Sequence, residues 1–175
     1  MENHDACHCK SSDSTRQTLE EMDFERGIWF AAQNNDMERL KTLLKKGVSP
    51  DIEDHSGYTA LHYAARNGHV NICRELLDRG ANVNAMTRSG KATALQRAAT
   101  QGCNNVIELL LKRHANPDMQ DSDGFTALHR AMMSESVGAV KLLIPKTNLN
   151  LCDKLGRTAK QLAEQKKLQN LFLEN

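Results

Sequence analysis

Four stretches of this chain echo one another: TALHYAARNGH from Thr59, TALQRAATQGC from Thr93, TALHRAMMSES from Thr126 and TAKQLAEQKKL from Thr158. Their starts lie 34, 33 and 32 residues apart, and stepping back 33 from Thr59 reaches Arg26, where RGIWFAAQNND puts Ile28 at the Leu61 position. Leu-rich segments follow at a matching offset: MERLKTLLKKG, VNICRELLDRG, VIELLLKRH and AVKLLI. A period of this length means that each unit is one supersecondary piece, too small to bury its own apolar face. Only a stack of such pieces makes a continuous core.

Each unit reads as helix, turn, helix and a hairpin-like finger. Thr59, Thr93, Thr126 and Thr158 are N-caps whose hydroxyls meet free N–H groups in the first turn. Small pairs follow (Ala31-Ala32, Ala64-Ala65, Ala98-Ala99) and allow close packing of a short first helix. Gly68 and Gly102 suit a left-handed turn. The second helix is amphipathic, with Val70, Cys73, Leu76 and Leu77 on one face, and Val106, Leu109 and Leu110 likewise. Gly47, Gly80 and Pro145 end these helices, and the fingers carry a glycine at a constant place, namely Gly57, Gly90, Gly124 and Gly156.

This period and the TALHxA pattern resemble the ankyrin-repeat family, over about 150 residues. The resemblance implies an all-α solenoid of about five helix-turn-helix units with short β-hairpin-like fingers. The units run approximately 26–58, 59–92, 93–125 and 126–157, with 158–175 as a C-terminal cap. Alanine stands for the family's proline at positions 60, 94, 127 and 159. Gln96 and Gln161 replace the motif histidine, Asn35 and Glu135 replace the inter-helix glycine, and His114 replaces a helix-ending glycine. Glu135 adopts a left-handed conformation poorly, so strain is expected there. The third finger, SGKATAL, is one residue longer than SGYTAL, so its tip should differ in shape. At the N-terminal end, Thr18 and Glu21 suggest a capping box before Leu19, Met22 and Trp29; at the C-terminal end, Leu162, Leu168 and Leu171 should point inward.

The first seventeen residues differ. They are polar and contain HDACHCK, with His4, Cys7, His8 and Cys9. A structural zinc site spaces its cysteines by two to four residues and needs four tetrahedral ligands, a geometry that adjacent Cys7-His8-Cys9 strains. A disordered tail at 1–17 is the expectation, with 18–175 as the repeat domain, and no metal or cofactor is assigned. Five cysteines at irregular spacing make a poor disulfide framework, which suits a cytosolic or nuclear setting. No run of eighteen apolar residues appears, so no membrane span is expected. Residues 1–30 hold three Lys/Arg against seven Asp/Glu, and the remainder twenty against fifteen. That is not the strongly basic face of a nucleic-acid binder.

Catalysis finds no support either. There is no G-x-S-x-G, P-loop or H-E-x-x-H, and the resemblance gives His62, His129 and His69 framework roles. The expected function is recognition: a monomeric, non-enzymatic adaptor or scaffold that binds a protein partner. Ankyrin proteins bind through a concave face made by fingers and inner helices. Transferred onto this sequence, that face comprises His55, Tyr58, Arg66, Arg88, Lys91, Thr100, Gln101, Ser122, Phe125, Met133, Lys154 and Arg157. Five of these twelve are Lys or Arg and none is acidic, so an acidic or mixed acidic-apolar segment is the expected ligand. Arg97 and Arg130, on inner helices, can add to the charge. Occlusion of an enzyme such as a kinase is the alternative use of such a face, with metal or redox sensing by the tail a third.

Overall fold

The computed structural model describes residues 27–172. The tail, with its HDACHCK segment, and the Thr18/Glu21 box lie outside the described residues. Four helix pairs follow in chain order: α1 (Ile28–Gln33) with α2 (Met37–Lys45), α3 (Ala60–Arg66) with α4 (Val70–Asp78), α5 (Ala94–Gln101) with α6 (Asn104–Lys112), and α7 (Ala127–Met133) with α8 (Val137–Leu143). A short 3-10 turn, Ile144–Lys146, extends α8; α9 (Ala159–Gln165) and a last 3-10 turn, Gln169–Phe172, close the stack. Inner helices α1, α3, α5, α7 and α9 pack on one another in sequence, and outer helices α2, α4, α6 and α8 do the same. Among the described residues the fingers form no extended strand, and their isolated antiparallel β-bridges join Met86 with Thr93 and Cys152 with Thr158.

One core runs through every layer. Ile28, Leu61, Leu95, Leu128 and Leu162 bury from the inner helices, and Leu40, Ile72, Leu76, Ile107, Leu110 and Leu143 from the outer ones. On α4 the buried face centres on Ile72, Cys73 and Leu76. Val70 and Leu77 sit at its edge, so the expected stripe is rotated toward Ile72, which the predicted face omitted. On α6, Val106, Leu109 and Leu110 are buried as expected, joined by Ile107. Trp29 packs against the core and its indole N–H donates to the Ile52 carbonyl at 2.9 Å. Leu168 and Leu171 cover the other end beside buried Leu162.

The four threonines cap as expected, each in a reciprocal box with the residue three positions on: His62, Gln96, His129 or Gln161. That third residue also reaches the next unit. His62 Nδ1 accepts the Thr59 N–H at 3.1 Å, and its Nε2–H donates to the Ala92 carbonyl at 3.0 Å. Those two bonds define a neutral imidazole with the proton on Nε2. Burial lowers the His62 pKa, against hydrogen bonds and nearby carboxylates that raise it, and His129 is lowered by the same cause. Gln96 reproduces the arrangement, accepting from Thr93 N–H at 2.8 Å and donating to the carbonyls of Met119 (2.9 Å) and Phe125 (2.7 Å). His69 donates to the Gln33 carbonyl at 3.0 Å. These histidines are structural ties.

Left-handed turns fall where the repeat demands them, glycine or not. Asn35, His114 and Glu135 have φ of 58°, 63° and 55°. The third finger departs from the others. Gly57, Gly124 and Gly156 are left-handed, whereas in SGKATAL that role moves from Gly90 to the inserted Lys91, at φ 49°. The expected constancy of the finger glycine therefore fails at Gly90, because the extra residue shifts the closing turn by one.

Candidate protein-binding face

The fingers share one local design. Asp54, Asp121 and Asp153 each stand three residues before the finger glycine. One carboxylate oxygen of each accepts two backbone N–H groups: Ser56 and Tyr58 on Asp54, Asp123 and Phe125 on Asp121, Leu155 and Arg157 on Asp153. The second oxygen takes a side chain, from the helix that follows the finger in the first two cases and from the finger itself in the third. Tyr63 Oη donates to Asp54 at 2.6 Å, Arg130 Nε to Asp121 at 2.7 Å, and Arg157 Nε to Asp153 at 2.8 Å. Burial pushes the Asp153 carboxyl up, but the Arg157 and Leu155 hydrogen bonds and the Arg157 charge outweigh it and hold the group below the usual value. Sequence reasoning passed over these three aspartates, although D-x-x-G recurring at the repeat period was the available signal.

Thr87 occupies the aspartate position in the third finger. Its N–H donates to the Ala92 carbonyl, as Asp54 donates to Tyr58 and Asp121 to Phe125. Its hydroxyl accepts the Ala92 N–H at 3.0 Å, but a hydroxyl has no second oxygen to offer the helix behind. That helix presents Arg97, the position after the capping Gln96, as Tyr63 follows His62 and Arg130 follows His129. Arg97 Nε is buried without a hydrogen-bond partner among the described residues. The guanidinium stacks over the Tyr58 ring at 4.8 Å, and Arg130 stacks over Phe125 at 4.7 Å. Burial lowers the Arg97 pKa, Arg130 lowers it further and Asp121 raises it. The side chain stays charged in any case, since arginine does not lose its proton in proteins.

Adjacent fingers are tied by main-chain bonds. The N–H groups of Arg88, Ser122 and Lys154 donate to Ser56, Gly90 and Asp123 carbonyls at 3.2, 2.8 and 3.0 Å. This ladder puts His55, Arg88, Ser122 and Lys154 at equivalent finger positions in successive units, with Arg66, Thr100, Gln101 and Met133 exposed at the ends of the inner helices. Tyr58 is half-buried beneath Arg97. Lys91 is exposed.

Two expected contact residues are placed otherwise. Phe125 is buried, 8% exposed, because Arg130 covers its ring and the core takes the rest. It supports Arg130 and offers no surface of its own. Arg157 folds back onto Asp153 through two nitrogens, at 2.8 and 2.7 Å, and is spent on its own finger. Arg88 stays exposed but pairs with Glu53 at 2.9 Å. The cationic band therefore narrows: Arg66, Lys91, Arg97 and Lys154 lack a carboxylate partner among the described residues.

Between the third and fourth fingers lies an open pocket of about 200 Å³, bounded by Ala92, Arg97, Thr100, Ser122, Asp123 and Arg130 among others. It exists because Ala92 stands where the neighbouring units have Tyr58 and Phe125. Burial pushes the Cys73 thiol up to about 12 and Cys103 in the same direction, which disfavours the thiolate at both. Among the described residues no group of three metal-ligating side chains gathers, and no helix is long and apolar enough to cross a membrane.

Comparison with known proteins matches a family model described as ankyrin repeats (three copies) along residues 28–121 and 97–173. Human ankyrin repeat domain-containing protein 39 is 58% identical over 72 residues, 41% of this chain and 39% of that protein. Its bovine counterpart is 58% identical over 62 residues, 35% of this chain and 34% of that protein. Palmitoyltransferase akr1 of Schizosaccharomyces pombe is 47% identical over 110 residues, which cover 62% of this chain but 17% of that enzyme, so the activity in its name stays with it. The aligned segments thus span about two fifths or less of these relatives. Stacked helix pairs of a 33-residue period, capped by threonine boxes and matched to the family model along most of their length, make this chain a member of the ankyrin-repeat family, whose repeats imply a protein–protein interaction module.

Proposed function

We propose that this protein is a non-enzymatic adaptor whose finger-and-inner-helix face binds a partner through an acidic or mixed acidic-apolar segment. The observation that carries the reading is the set of cations left without carboxylates on that face: Arg66 at the end of α3, Lys91 in the third finger, Arg97 on α5 and Lys154 on the finger before α9. Exposed cations of one sign speed the encounter with an acidic segment, and the effect weakens with salt. Tyr58, Met133 and the stems of the arginines supply apolar contact, which governs residence time.

The test is a selection of displayed random dodecapeptides on the intact protein, followed by affinity measurements at low and high salt. Selected peptides should be acidic, and their affinity should fall as salt rises. Arg66→Glu/Lys154→Glu should weaken the affinity for acidic peptides and its salt dependence while keeping the melting temperature, because both side chains are exposed. Selection of neutral or basic peptides by the wild type would overturn the reading.

A further inference from the structure

We infer that the pocket between the third and fourth fingers is a receptor for a single carboxylate side chain of the partner, held by Arg97. The inference rests on the proposed acidic partner but adds a specific point of attachment. In two fingers the second oxygen of the internal aspartate occupies a donor on the helix behind it, Tyr63 or Arg130, and in the last finger Asp153 occupies that finger's own Arg157. In the third finger Thr87 cannot, so Arg97 faces the pocket with no carboxylate bound to it among the described residues. The same finger has lost the aromatic ring that its neighbours place before the capping threonine, and Ala92 leaves the space open. A missing acceptor and a missing side chain thus coincide at one guanidinium.

The surrounding groups set the chemistry of the occupant. Arg130 forms part of the wall, but its nitrogens already hold Asp121 at 2.7 Å and Asp123 at 3.1 Å. Asp121 is spent, with one oxygen on backbone N–H groups and the other on Arg130. Asp123 remains on the wall as a negative charge. A dianion such as a phosphate group would meet that charge, whereas a monoanionic carboxylate takes the free donors of Arg97 with less repulsion. Tyr58 beneath the guanidinium fixes its plane, so the donors are held in place before binding. The Thr100 hydroxyl gives its proton to the Gln96 carbonyl at 2.9 Å, and the Ser122 side chain lies on the opposite wall. An Asp or Glu side chain on an extended segment crossing the two fingers fits these constraints.

The experiment uses the same displayed dodecapeptide library on the full chain. Peptides selected on the wild type should share one fixed Asp or Glu, and replacing that residue by its amide should weaken binding about tenfold or more. Two variants should erase this discrimination. Arg97→Gln removes the receptor, and Thr87→Asp supplies the internal carboxylate that the other fingers possess, so that Arg97 is occupied. Thr87→Asp should also raise the melting temperature, a change that mere loss of structure would not produce. Arg66→Glu/Lys154→Glu, in contrast, should weaken acidic peptides generally yet keep the amide effect at the fixed position. If the selected peptides have no fixed acid, or if the amide swap costs as much on Thr87→Asp as on the wild type, the carboxylate receptor is wrong even where the broader acidic preference holds. A library that yields no binder counts against both readings, and peptides that need a phosphorylated residue in place of the acid overturn the monoanion assignment.

Discussion

His62 and His129 show how one side chain can serve two units at once. Each accepts a cap N–H through Nδ1 and turns Nε2–H toward the next finger, which requires a neutral ring. Their folded pKa lies below the ordinary value of 6.5. Below about 6.5 the unfolded chain therefore binds protons that the folded chain refuses, so this contribution to stability is fully present above that value and declines as pH falls toward the folded pKa. Chemical denaturation between pH 5 and 7.5 should show the decline, and His62→Gln/His129→Gln should flatten it. Gln96 does the same work in a sister repeat, so His62→Gln should cost no more than about 1 kcal/mol at pH 7.5, the worth of an ordinary hydrogen bond. A catalysed reaction abolished by this change, with folding intact, would contradict the structural role.

At the scale of the turn and helix, backbone conformation decides which substitutions help. His114 ends α6 at φ 63°, where Gly47 and Gly80 end α2 and α4 at 88° and 85°. A left-handed non-glycine residue is strained by about 1–3 kcal/mol, partly offset because glycine loses more freedom on folding. His114→Gly should therefore raise stability by about 0.5–1 kcal/mol, read as a shift of the denaturant midpoint at constant slope. Gly124 is the opposite case. It has φ 80°, and a methyl group there would approach the Lys154 nitrogen to 2.8 Å, in the rung that joins two fingers. Gly124→Ala should destabilise by more than about 2 kcal/mol, since strain and a displaced finger add. An unchanged melting temperature would show that the finger ladder yields easily.

The whole molecule is held by contacts between neighbouring units. Leu110 is fully buried in the third unit's outer helix, with units on both sides. Leu110→Ala should cost about 2–5 kcal/mol through the cavity it leaves, and unfolding should remain a single transition if the stack is cooperative. Removing residues 158–175 would expose the α7 and α8 faces that α9 and the final turn cover. The shortened chain should melt at lower temperature with a shallower transition, measured by circular dichroism.

Periodicity, cap residues and apolar spacing are local properties, and each was legible in the sequence because the ankyrin unit repeats them at fixed offsets. The threonine boxes, the strained Glu135 turn and the buried leucines all follow from that regularity. What tertiary structure alone decided is which cations are free. Arg157, Arg88 and Arg130 look like Arg97 and Lys154 in the sequence, yet their charges are bound by Asp153, Glu53 and the Asp121–Asp123 pair. Those pairings depend on where a finger loop brings its carboxylate, over four to thirty-five residues of chain. Phe125 sinks for a similar reason, because the helix that follows it lays Arg130 across its ring. A side chain's type is written in the sequence; its remaining capacity to bind depends on what the fold has already placed against it.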